Sequence, residues 1–79
     1  MRVVFESRKV DIPYERFVFK IDDTHLQDKY PYCTVIATPT GDSKDGFEVA
    51  TYNSFDEAEI MLFEIRNAYA DGNKVIVYD

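Results

Sequence analysis

Between Ser54 and Asp71, in SFDEAEIMLFEIRNAYAD, the apolar residues recur with helical spacing. At 100° per residue Phe55, Ala58, Leu62, Ile65 and Tyr69 fall on one stripe, with Met61 and Ala68 at its edge. Ser54 and Glu57 have the spacing of a capping box, and Asp56, Glu57 and Glu59 place negative charge at the positive end of the helix dipole. Gly72 is the stop signal. Upstream the period shortens to two. Phe17, Phe19 and Ile21 alternate with Val18, Lys20 and Asp22, as in a half-buried strand. Arg2–Glu6 and Val10–Ile12 are short β-rich runs with Ser7-Arg8-Lys9 as a turn between them. The polar stretch Asp23–Tyr30 interrupts the pattern, and Pro31 opens the strand Tyr32–Thr38. Pro39, Gly41 and the Asp45-Gly46 pair then mark an eight-residue connection to the strand Phe47–Tyr52, so that these two strands form an antiparallel hairpin. After Gly72 and Asn73, Lys74–Tyr78 is the closing strand.

These elements predict a single α+β domain over residues 1–79, a small, mainly antiparallel sheet packed on one long helix. The order is β-β-β-β-α-β when the first two runs count as one bent strand interrupted near Pro13. The helix then acts as a right-handed crossover between strands of one sheet. A single sheet covers only one side of a helix. Ile60 and Phe63 lie with Asn67 and Ala70 on a second stripe, well away from the first. Either a partner meets this stripe, a second copy or another protein, or a loop such as Asp23–Tyr30 folds over it, or one exposed Phe is tolerated.

Composition bounds the picture further. At 79 residues the chain is near the size at which one core only just offsets the entropy of ordering it, but 46% hydrophobic residues with six Tyr and six Phe favour folding. The opening MRVVFESRK is too short an apolar run for a signal peptide, and no stretch is long enough to span a bilayer. The expectation is a soluble, cytoplasmic protein. The single Cys33, inside YCTVIA, is expected to be a buried apolar residue rather than a reactive thiol. The net charge of −6 lies entirely in residues 40–79, where nine acids face Lys44, Arg66 and Lys74. Such a surface repels phosphate, so direct nucleic-acid binding is not expected; a nucleic-acid mimic or a partner for a basic protein suits it, as does plain solubility.

Candidate chemistry is sparse. Asp22, Asp23, Thr24, His25 and Asp28 form the densest polar cluster, but no metal-ligand spacing is present and a polar loop is expected. Neither a metal nor a cofactor is assigned. His25 and Cys33 have no spacing that makes them a catalytic pair, and Asp56 and Glu57 are accounted for by helix capping. The stretch TPTGDSKDGF leads into a strand, whereas a phosphate loop leads into a helix. No catalytic residue is assigned. In the N-terminal half Arg8, Lys9, Arg16 and Lys20 intermingle with Tyr14, Tyr30 and Tyr32, which together could hold an anion and stack a base.

The string TYNSFDEAEIMLFEIRNAYADGNKVIVYD resembles small proteins of unknown function found in Gram-positive bacteria and their phages. In those proteins a strand ending in TY or EY leads into a capped helix of pattern A-x-x-φ-φ-x-x-I-x-x-A-Y, then Gly and a last strand. VDIPYERFVFKI is similar to their N-terminal segment. Tyr52, Ala58, Ile65, Ala68, Tyr69 and Gly72 carry over as structural positions, and the resemblance implies a phage or mobile-element origin without an activity. The expected function is therefore a non-enzymatic protein-interaction module of phage or prophage origin that binds a host or viral protein or itself through Ile60, Phe63, Asn67 and Ala70. The alternative is sequestration of a nucleotide-like signalling molecule by the Arg/Tyr-rich half.

Overall fold

The computed structural model describes residues 1–41 and 46–79. Its strands are β1 (Arg2–Phe5), β2 (Val10–Pro13), β3 (Phe17–Asp22), β4 (Cys33–Pro39), β5 (Phe47–Tyr52) and β6 (Val75–Tyr78), with one helix, α1 (Phe55–Ala70), before β6. The α+β class expected from the sequence is found, but the single sheet is not. There are two three-stranded sheets, ordered β2-β1-β6 and β3-β4-β5. The reason is a long-range pairing that local pattern does not encode: β6 runs parallel to β1, Arg2 opposite Val75 and Phe5 opposite Tyr78. The helix therefore joins a strand of one sheet to a strand of the other, and the same-sheet crossover expected from sequence does not occur. Nor are the first two runs one bent strand. They form a hairpin, with Val3 opposite Ile12, around a single 3-10 turn at Glu6–Arg8. Lys9 closes that turn in the left-handed region at φ 55°.

β4 is the central strand of its sheet, antiparallel to both neighbours. Cys33, Val35 and Ala37 of β4 point into the core, and on its other face, which it shares with the exposed Val18 and Lys20 of β3, Thr34 and Thr38 are buried among their cross-strand neighbours. The β4–β5 hairpin is as expected, with a bulge between Val35 and Ile36; part of its connection, residues 42–45, lies outside the described residues. The core is shared by three layers. Val3, Phe5 and Ile12 come from one sheet, Cys33, Val35, Ala37 and Val49 from the other, and Ala58, Met61 and Ile65 from α1.

Both ends of α1 follow local chemistry. Ser54 has extended backbone and its Oγ accepts a hydrogen bond from the Glu57 N–H at 3.2 Å, the Ser54 half of the capping box. At the far end Gly72 takes φ 79°, the Gly72 N–H reaches the Tyr69 carbonyl at 3.1 Å and the Asn73 N–H reaches that of Ala68 at 3.0 Å. This is the Schellman arrangement, which needs a residue free of a Cβ penalty at that position. The buried face of the helix is rotated from the one periodicity suggests. Ala58, Met61, Ile65 and Ala68 are buried, whereas Phe55 and Leu62 are half-covered and Tyr69 is 46% exposed. Leu62 and Tyr69 overhang β3, an edge strand, so nothing beyond it closes over them.

Candidate functional site

Ile60 and Phe63 are 61% and 59% exposed on the side of α1 that faces away from the sheets, and Asn67 and Ala70 are exposed beside them. The Asp23–Tyr30 loop adds no residue to this face and leaves it open. An apolar groove of about 460 Å³ runs along it, lined by Ile21 at the end of β3 and by Glu59, Ile60, Leu62, Phe63 and Arg66 of the helix. A second groove of about 480 Å³ continues from the shared Leu62 and Arg66 towards Tyr14, Phe17 and Phe19. Its far wall is built by aromatic packing, with Tyr14 4.8 Å from Tyr69 and 6.0 Å from Phe19 between ring centroids. Phe63 belongs to a helix whose two ends are both capped, so its exposure is imposed by the fold rather than by fraying.

The seven residues considered for an anion or nucleotide fall in separate places. Arg8 is engaged with β5, its Nη2 donating to Thr51 Oγ1 at 2.9 Å and its Nη1 lying 3.6 Å from Glu48, which ties the two sheets together. Lys9 serves the β1–β2 turn. Arg16 closes the next turn, its carbonyl accepting from the Thr40 N–H at 2.9 Å, and Lys20 stands on the solvent face of β3. Tyr14 belongs to the aromatic wall just described, Tyr32 stacks on His25 at 4.5 Å and Tyr30 projects under the Lys29 ammonium at 5.6 Å. Neither of the two grooves is lined by any of the four cations.

The polar loop is an internally satisfied turn. Asp22 Oδ1 accepts from the Thr24 N–H at 3.0 Å and from its hydroxyl at 2.8 Å, which holds the Asp22 carboxyl below the usual carboxylate range. His25 Nδ1 and Asp28 Oδ2 are 2.9 Å apart. Among the described residues no three His, Cys, Asp or Glu side chains gather into a metal-binding group. Cys33 is buried, and its thiol donates to the Ser54 carbonyl at 3.0 Å; burial, with Glu57 and Asp23 adding to it, pushes the thiol up, away from the reactive thiolate. His25, which would have to serve as its base, is stacked against Tyr32 instead.

Two features escape sequence reading. Val75 and Val77 are 44% and 51% exposed on the outer face of β6, beside Val4, because VIVY is apolar at every position and alternation gives no sign of which side faces water. Tyr78 stacks on Phe5 at 5.7 Å and its hydroxyl is buried without a partner among the described protein groups. Burial, with Glu64 and Tyr52 adding to it, pushes this phenol up to about 12, so it stays a neutral donor at ordinary pH.

The chain matches no protein-family model, no curated protein and no solved structure. No helix among the described residues is long and apolar enough to cross a membrane.

Proposed function

We propose that this chain is a non-enzymatic protein-interaction module, of phage or prophage origin and active in the host cytoplasm, that works by binding another protein through the outer face of α1. The observation that carries the reading is the pair Ile60 and Phe63, two large apolar side chains on a well-capped helix, each about three-fifths exposed and next to an open apolar groove. Surface apolar residues scattered singly need no explanation, but two adjoining ones beside a groove form an anchor of the kind that interfaces use. The phage origin rests on the resemblance of the strand-helix-strand segment alone. Sequestration of a nucleotide-like molecule has no observation in its favour, because its seven residues are dispersed among separate contacts.

Phe63→Glu tests the reading. The variant is expected to melt within about 0.5 kcal/mol of the wild type, since the side chain already faces water, and to lose the bound protein in capture experiments. Loss of the fold in the variant would make Phe63 a core residue, and undiminished capture would move the docking face elsewhere.

A further inference from the structure

We infer that the occupant of this face is a second copy of the chain, docked as an antiparallel pair of α1 helices; the inference rests on the docking-face reading above and names its partner. Glu59, Leu62, Phe63 and Arg66 stand at positions i, i+3, i+4 and i+7 of α1, the four corners of the hole into which a side chain of a facing helix inserts. These same four residues line the open groove. Their charges are arranged so that a copy related by a two-fold axis fits. With the axis between Leu62 and Phe63, antiparallel alignment puts Glu59 opposite Arg66 of the second copy and Arg66 opposite Glu59 of the second copy, with Leu62 and Phe63 meeting between the two ion pairs. About one turn further out the same alignment brings Phe55 towards the small Ala70 of the second copy.

Charge decides between this occupant and a cationic peptide. Glu57 and Glu64, which make the helix acidic as a whole, lie more than about a quarter turn from Phe63, on the far side from Arg66. The centre of the docking face carries Glu59 and Arg66, one of each sign, which reversal brings opposite each other, and no acid meets an acid in the aligned pair. A strongly basic segment would instead meet Arg66, the single base of α1, at the centre of the groove. A helix pair about 24 Å long falls at the low end of interface sizes, so the dimer should dissociate on dilution and weaken with salt.

The test is the mass of the full chain by sedimentation and light scattering over a range of concentrations. Wild type is expected to approach twice the monomer mass at high concentration. Glu59→Arg alone and Arg66→Glu alone should each weaken dimerisation by about tenfold or more, because like charges then face each other twice. An equimolar mixture of the two variants should recover the dimer, since each chain then meets the opposite sign. Circular dichroism of both variants checks that these exposed changes leave the fold intact. A wild type that stays monomeric at millimolar concentration, or a mixture no better than its components, overturns the second copy as occupant. In that event a partner still lost with Phe63→Glu leaves the docking face standing, whereas a dimer indifferent to Glu59→Arg, Arg66→Glu and Phe63→Glu overturns both readings.

Discussion

Phe5→Ala is expected to lower the unfolding free energy by about 3–5 kcal/mol and leave much of the protein unfolded at physiological temperature. Phe5 is 1% exposed on β1, the middle strand of its sheet, and its ring stacks on Tyr78 of β6. The strand is held by β2 on one side and by the parallel β6 on the other, so the cavity left by the ring opens where two distant parts of the chain meet. A domain of this size has about 4–12 kcal/mol in all. Removing the ring therefore takes a large share of the total. Urea denaturation followed by circular dichroism measures the loss, and a cost below about 1 kcal/mol would mean that Phe5 is not the centre of the sheet packing.

The second large effect is expected within α1, where Met61→Ala should cost about 2–5 kcal/mol and Tyr69→Ala about 1 kcal/mol. Met61 is 2% exposed among the core residues of both sheets. Tyr69 rests on Tyr14 over the edge strand β3, where water reaches one side of it. The ratio of the two costs reads the rotation of the helix. Equal costs, or a larger one for Tyr69, would place the buried stripe where hydrophobic periodicity alone puts it.

That rotation shows how far the sequence could be read. The existence and ends of α1 were legible because Ser54, Glu57 and Gly72 act on their own neighbours, and the β4–β5 hairpin because its partners are adjacent in the chain. The orientation of α1 to within one row of side chains was not. It depends on β3 being an edge, which in turn depends on β6 leaving that sheet to pair with β1 more than sixty residues away. For the candidate site, Ile60 and Phe63 could be picked out because they break a helical period, and they are exposed. The grouping of Arg8, Arg16 and Lys20 with the tyrosines could not be judged from composition, since nearness along the chain says little about nearness across two sheets. Arg8 reaches Thr51 and Glu48 on the other sheet, and Tyr14 reaches Tyr69 on the helix.

The most direct measurement of the central claim, that the working surface is the outer face of α1, is photo-crosslinking in cells with a crosslinking amino acid placed at Phe63 or, as a control on another face, at Lys20. Crosslinks to protein, whether a second copy or another chain, are expected in high yield from position 63 and at background level from position 20. An absence of protein crosslinks from position 63, or a yield from position 20 that equals it, would contradict the assignment of function to this helix face.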